Sequence, residues 1–392
     1  MPSATRVSFL VIGGGIGGLA AALALARAGR RVHVVEKSPE FGEIGAGLQL
    51  APNASRALDL LGVVGEIAKV GVYPKRLVML DAVSGDVVTA LDVGAKFQAR
   101  YGYPYVVMHR HDLLAILLAA CRANEAITLE TGKDVAEVGD RGDHALARCA
   151  DGSSYAADAI IGADGLWSPT RRFIAGDARP VCAQFVAYRG TIPISAVSSH
   201  AGLDNVVMWA GPDLHLVQYP VRRAELFNQV AVFRSHRYVE GSDDWGTVEE
   251  LDAAFAPTCE PVRAALTQIG RGRRWPMFDR PPIARWTHNR VALLGDAAHP
   301  MLQYLAQGAC QALEDAVCLG RAVADHGSDV AAAFLAYQDA RYLRTARVQL
   351  TAHFFGGVCH LADVGATLRN TLLADRADDD FSAVDWLYGH AA

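Results

Sequence analysis

The chain has 392 residues, about half of them hydrophobic and a fifth charged, with a formal net charge of -5 and both signs spread along its length. That make-up excludes a disordered segment and argues against a nucleic-acid partner, whose phosphates call for a basic surface. The length exceeds that at which a single core usually stops growing, so two interleaved or sequential domains are expected.

Residues 8–26 carry no charge and approach the length of a membrane span, yet they include Gly13, Gly14, Gly15, Gly17 and Gly18. A strand, a glycine turn and a helix is the better reading, and no membrane span is expected. Val7, Phe9, Leu10, Val11 and Ile12 read as strand, residues 19–28 as an alanine- and leucine-rich helix stopped by Gly29, and residues 32–35 as a second strand. That is a βαβ unit. No basic leader with a small-residue cleavage site stands out, so no targeting address is expected. Residues 105–107 lead into a helix over 112–123, and the Asp151-Gly152 turn separates alternating segments that end in Ala159-Ile160-Ile161.

From residue 185 to 233 the texture becomes β-rich, with strands expected over 205–209, 214–221 and 228–233 between Gly and Pro. Residues 291–294 form another buried strand ending in Gly295-Asp296, and 311–324 and 331–350 are strong helices. The seven cysteines are scattered, with no CxxC and no close Cys/His spacing. No metal site is therefore expected, and reduced thiols fit a cytoplasmic protein.

Three motifs carry chemistry. Gly13-Gly14-Gly15-Ile16-Gly17-Gly18 follows a strand and opens a helix, which places backbone N–H groups and the positive helix end where a pyrophosphate can sit. Glu36, about twenty residues on at the end of the next strand, can accept hydrogen bonds from a ribose. Ala163-Asp164-Gly165 and Gly295-Asp296-Ala297-Ala298-His299-Pro300, the latter followed by Gln307-Gly308-Ala309 and a helix, are the second and third. Taken singly, each could be a plain turn.

In this order and spacing the three motifs resemble the single-component flavoprotein aromatic hydroxylases, FAD-dependent monooxygenases, over most of the chain. The resemblance implies an α/β fold: a Rossmann-like FAD-binding domain with an interleaved β-sheet substrate domain and C-terminal helices. Residues 1–180 would form the first part of the FAD domain, 181–280 the substrate domain, and 281–392 the return to the FAD domain. It implies FAD contacts from Gly13, Gly15, Ile16, Gly18, Glu36 and Lys37. Arg110 would meet the flavin ribose or phosphates, Asp164 would serve both FAD and the nicotinamide coenzyme, and Asp296 would meet the ribityl chain and pyrophosphate. The stretch from Gly42 to Gly47 would run along the isoalloxazine, and the helix end at Gly308 and Ala309 would face the flavin pyrimidine, where it favours negative charge on reduction.

The implied reaction uses NADH (or NADPH) and O2 to hydroxylate a small phenolic acid in aromatic catabolism, FAD carrying the hard step. Within the family the likeness points to hydroxylation of 3-hydroxybenzoate to 2,5-dihydroxybenzoate (gentisate). It rests on residues 213–220 around His215, on 228–233, on Trp275-Pro276-Met277-Phe278-Asp279-Arg280, and on Gln303, which stands where the wider family usually has proline. Enzymes of salicylate and of 6-hydroxynicotinate are the alternatives. Ala306 and Cys310 depart from the glycine and asparagine many relatives carry.

A phenolate activates the ring better than a phenol does, so a base is expected beside the substrate hydroxyl. His215 is the candidate, with Tyr219 on the same strand face because 215 and 219 share parity. Gln303 would hold the substrate from another wall, and His215 could equally be a structural histidine of the sheet. The resemblance further implies a homodimer. Rival classes that share the glycine fingerprint are a flavin oxidase, a disulfide reductase (disfavoured by the missing CxxC) and a non-catalytic flavin-binding protein.

Overall fold

A computed structural model describes residues 4–42, 46–176, 179–197 and 202–390. The apolar run near the start folds as a strand, Thr5–Ile12, a turn and a helix, Ile16–Arg27. Thr5–Ile12 lies between Ser154–Gly162 and Val32–Val35, with Ile127–Glu130 beyond the latter and Val291–Leu293 beyond the former, all parallel. The antiparallel strands Val135–Asp140 and Ala145–Cys149 complete one side of the sheet, and Thr287–His288 closes its edge. Parallel strands buried on both faces read as continuous apolar runs. Leu10, Val11, Val34, Ile160 and Ile161 accordingly have no exposed surface, and burying each such side chain contributes about 1.5–3 kcal/mol.

The register decides where a ligand can sit. Ile12 pairs with Gly162 and with Val35, Gly162 pairs with Leu293, and Val35 pairs with Glu130. The carboxyl ends of the five strands therefore line up. Gly13, Glu36, Ala163-Asp164 and Gly295-Asp296 each follow one of those ends, so residues nearly three hundred positions apart meet at one rim, the usual binding edge of such sheets.

The second sheet has seven strands in the order Trp275–Asp279, Val181–Pro193, Leu226–Arg234, Leu214–Val221, Asn205–Gly211, Arg76–Asp81 and Val87–Asp92. Its pairs are antiparallel except that between Asn205–Gly211 and Arg76–Asp81. Two of these strands come from within residues 1–180, the segment expected to form the first part of the FAD domain. The chain crosses to the second sheet at residue 76, returns, and crosses again at 181. The helices Val248–Phe255 and Glu260–Leu266 pack on one face of this sheet, Leu251, Phe255, Val262 and Leu266 joining Leu216 and Phe233 in its core. The capping box of Thr247 and Glu250 starts the first of them.

The return segment forms the helices Gly308–His326 and Val330–Cys359, both longer than expected. The break between them has a local cause. Gly327 takes a positive φ of 56° and Asp329 caps the second helix by accepting from the Ala332 N–H. Gly308–His326 packs against Ile16–Arg27 so closely that a side chain at Gly320 would strike Ala24.

Candidate active site

A cavity of about 910 Å³ runs from the glycine turn to the face of the second sheet, near the upper end for small-molecule sites. Gly13, Gly15, Ile16, Glu36, Lys37 and Arg110 line one end with Asp164, Asp296, Gly308 and Ala309. Gly47, His215, Tyr219 and Gln303 line the other. Within the glycine motif, Gly14 and Gly18 are absent from the wall, and Gly18 has a packing role. It is glycine because a side chain there would strike the Gly13 carbonyl.

The turn itself discriminates packing from binding. Gly13 has φ 105° and abuts the Ala163 carbonyl, so both backbone and contacts require glycine there. Gly15 differs: its φ of -74° and ψ of -175° suit any residue, and a side chain on it would meet no protein atom within 4 Å. Among the described residues no contact accounts for glycine at this helix N-terminus, whereas the phosphates of a dinucleotide do. The Glu36 carboxylate accepts from the N–H groups of Gly14 at 2.7 Å and Ser38 at 2.9 Å, which holds it at the rim. Asp296 is exposed between buried neighbours on both sides, the pattern of a carboxylate aimed into a site. At the start of the helix Gly308–His326, the Gln307 side chain is buried with its Nε2 left unpartnered among the described residues while lining the cavity, the sort of orphan donor a ligand satisfies. Donors, helix ends and carboxylate together fit a flavin dinucleotide.

Two of the expected contacts look different in three dimensions. Asp164 spends its carboxylate locally, accepting from the Ser168 and Thr170 hydroxyls at 2.5 and 2.7 Å and from the Thr170 N–H. Burial raises its pKa against the lowering effect of those bonds. Ser168 is the N-cap of the helix Pro169–Ala175, and Asp164 accepts from an N–H of its first turn as well as lining the cavity. Of the stretch from Gly42 to Gly47, residues 43–45 lie outside the described residues. Gly47 donates its N–H to Asn228 at 2.6 Å, and a side chain there would collide with the Tyr219 ring.

His215 is 2% exposed. Its Nδ1 lies 2.8 Å from Nε2 of His360, and its Nε2 lies 3.5 Å from the Gln303 amide nitrogen. Gln303 is thus beside His215 rather than across the cavity from it. Burial, then the neighbouring His360, push the His215 pKa well below its ordinary value, so its ring is neutral with a lone pair to offer. Tyr219, on the same strand as His215, also lines the cavity, and burial raises its phenol. Sequence reasoning missed His360, Tyr304 and Asn228. His360 ends a helix 145 positions from His215 and no local pattern marks it. Ala306 has φ 52°, a left-handed backbone that glycine takes without cost and alanine only with strain, which accounts for the glycine of many relatives and leaves the alanine here without a structural explanation.

Beneath the cavity lies a charged cluster the sequence did not reveal. Arg341 pairs with both Glu314 and Asp315, Arg344 pairs with Glu314 at 2.6 Å, and His299 meets Asp315 at 2.5 Å, nearly all of it buried. Burial alone would raise both carboxyls, but the arginines on Glu314, and His299 with Arg341 on Asp315, hold each at about 2. The ordinary values are 4.5 and 3.8, so the folded state favours the ionised forms. That contribution is complete above about pH 5 and is lost as pH falls through 2. His360, depressed to about 4, acts in the same direction from pH 6.5 downward, because the unfolded chain takes up its proton first. The melting temperature is therefore expected to fall continuously from pH 6.5 to 2. A Glu314→Gln/Asp315→Asn variant should show a shallower acid limb below pH 5, and an unchanged limb would refute the assignment.

Comparison with known proteins agrees with this geometry. A family model described as "FAD binding domain" matches residues 6–351. A 3-hydroxybenzoate 6-hydroxylase of Klebsiella oxytoca is 40% identical over 97% of this chain and 96% of its own length. A 6-hydroxynicotinate 3-monooxygenase of Bordetella bronchiseptica is 34% identical over 88% of this chain and 90% of its own. Among solved structures, Klebsiella pneumoniae HpxO complexed with FAD and uric acid superposes with a TM-score of 0.83 at 26% identity, covering 97% of this chain and 96% of that one. A salicylate hydroxylase substrate complex does so with a TM-score of 0.81 at 26% identity, covering 100% and 97%. The chain belongs to the FAD binding domain family, among hydroxylases and monooxygenases.

Proposed function

We propose that this enzyme hydroxylates 3-hydroxybenzoate to 2,5-dihydroxybenzoate with NADH (or NADPH) and O2, as a cytoplasmic homodimer. The observation that carries the reading is that one cavity joins the nucleotide rim of the first sheet to a buried histidine on the second. The domain division proposed with it is a nucleotide unit interrupted twice by the second sheet, at 76–92 and at 181–280.

Bound FAD would supply the redox chemistry, drawing on the nicotinamide coenzyme and O2. Gly13, Gly15 and the start of the helix Ile16–Arg27 would hold its pyrophosphate, with Glu36 on the ribose. Arg110, Lys37, Asp164 and Asp296 would complete the phosphate and ribityl contacts, and the helix end at Gly308 and Ala309 would favour negative charge on the ring. The chain's own contribution at the substrate is placement and proton handling. His215 Nε2 would accept the phenolic proton, Gln303 would orient the hydroxyl, and Tyr219 would wall the ring against Gly47.

The deciding assay is a panel of hydroxybenzoates and 6-hydroxynicotinate, with NADH consumption, product identification and labelled O2 in parallel. Labelled 2,5-dihydroxybenzoate from 3-hydroxybenzoate is expected. A labelled product only from 6-hydroxynicotinate would transfer the assignment to that ring, which the Bordetella relative favours. NADH oxidation without organic product would mean an oxidase.

Gly15→Val separates fold from cofactor. Its backbone suits any residue and a Cβ added there has open space around it, so the FAD-free protein should melt close to the wild type. FAD affinity should fall about ten- to a hundredfold, the overpacking cost of 1–3 kcal/mol in a filled site. Titration of the FAD-free protein with FAD measures both, and undiminished affinity would remove the pyrophosphate from this turn.

A further inference from the structure

His215 has a difficulty as a base: burial opposes the imidazolium it would become. The structure offers a way round it. The ring planes of His215 and His360 are inclined by 22° with centroids 5.1 Å apart. Together with the 2.8 Å separation of Nδ1 and Nε2, this places the two rings edge to edge and nearly coplanar, with the hydrogen bond along the lone-pair direction. Phe185 lies over the His360 ring at 4.5 Å and 24° and fixes its plane. The Gln303 amide nitrogen lies 3.5 Å from Nε2 of His215, and in the tautomer that lets it donate there the proton of that ring sits on Nδ1 and points at His360.

We propose that His360 is a proton-relay residue, taking the proton of the substrate phenol through His215 and delivering it to solvent. The step balances without a buried cation on His215. The phenolic O–H bond breaks as an N–H bond forms at His215 Nε2, and the His215 Nδ1 proton passes to His360 Nε2. His215 changes tautomer and stays neutral. His360 then loses its Nδ1 proton to water, leaving phenolate in the cavity and one proton outside.

Burial opposes a charge on His360 as well and lowers its pKa to about 4, but other features of its surroundings favour a transient one. It is half-buried and caps the carboxyl end of the helix Val330–Cys359, where unpaired carbonyls favour a cation. The charged and titratable groups acting on it are Asp213, which favours the cation, Arg369, which opposes it, and His215. The Tyr304 ring lies 5.4 Å from both histidines, and the Cys359 thiol, its pKa raised by burial, precedes His360 in the chain. Arg369 is partly occupied by Asp81 at 3.2 Å. A relay that only passes charge needs no histidine of high pKa.

This inference rests on the hydroxybenzoate reading, and the test keeps the two apart. 3-Hydroxy-4-nitrobenzoate, whose phenolate absorbs in the visible, is mixed with FAD-loaded wild type, His360→Asn, His360→Gln and His360→Ala in weak buffer with a pH indicator. Wild type is expected to bind the probe and release its proton. The variants should bind it equally but release the proton at least tenfold more slowly, and imidazole should restore the rate in His360→Ala. In turnover with 3-hydroxybenzoate, kcat should fall by about the same factor with KM and FAD content unchanged. Proton release at the wild-type rate in all three variants overturns the relay alone. So does a loss that raises KM and that imidazole does not restore, since that marks a packing role. Failure of the wild type to bind the probe overturns both the relay and the hydroxybenzoate reading.

Discussion

His215→Ala is expected to lower the rate of product formation by about a hundredfold or more, the usual scale for a positioned base. FAD content should stay at the wild-type level. The ring is seated on the second sheet, and its hydrogen-bond partners are His360 and Gln303, not the residues of the glycine turn or of Glu36. NADH should still be consumed when substrate binds, with the electrons lost as hydrogen peroxide, so the ratio of product to NADH is the sensitive readout. Alanine also leaves His360 without its buried partner, so His215→Asn, which keeps a polar group near it, guards against a purely structural loss. Both variants should be measured across pH. Wild-type coupling and an unchanged pH profile in the two would leave His215 a structural residue and remove the proposed base.

How far the site could be read in advance depended on whether its cause was local. The glycine turn, Glu36 and Gly295-Asp296 were legible because each follows a strand end, and the parallel register then brings strand ends together whatever the distance in sequence. The strand Leu214–Val221 was legible with its boundaries because apolar residues bounded by turn residues mark it locally. Arg76–Asp81 and Val87–Asp92 pair with each other as a local hairpin, but they were not assigned to the second sheet, because Arg76–Asp81 joins it through Asn205–Gly211, more than a hundred residues away. His360 was invisible for a different reason. It caps a helix whose apolar pattern reaches beyond the stretch expected, and nothing in its neighbours announces the ring it meets. The proximity of Gln303 to His215 likewise follows from the turn before the helix Gly308–His326, whose left-handed Ala306 gives no sequence signal of its direction.

Arg341→Ala should destabilise the fold by about 3–5 kcal/mol, because a buried ion pair that loses one partner keeps an uncompensated charge. Arg341 is 1% exposed, and it neutralises Glu314 and Asp315, which have no exposed side-chain surface. The cluster also joins three parts of the cavity wall. Glu314 receives Asn53 at 2.6 Å, Asn53 in turn donates to Gln307 at the helix start, and Arg344 binds Glu314 while donating to the carbonyls of Trp386 and Leu387. Gln307, Trp386 and Leu387 all line the cavity. Loss of Arg341 should therefore weaken FAD binding along with stability, although no atom of Arg341 need touch the cofactor. The control is the triple variant Glu314→Gln/Asp315→Asn/Arg341→Met, which removes the three most buried charges, leaves Arg344 without its carboxylate, and should recover part of the lost stability, since neutral replacement of a buried ion pair is often close to neutral in free energy. Denaturant unfolding of the FAD-free proteins, with FAD titration alongside, measures both effects. A single variant as stable as the wild type, or a triple variant less stable than the single one, would show that the arginine is not what compensates these two carboxylates.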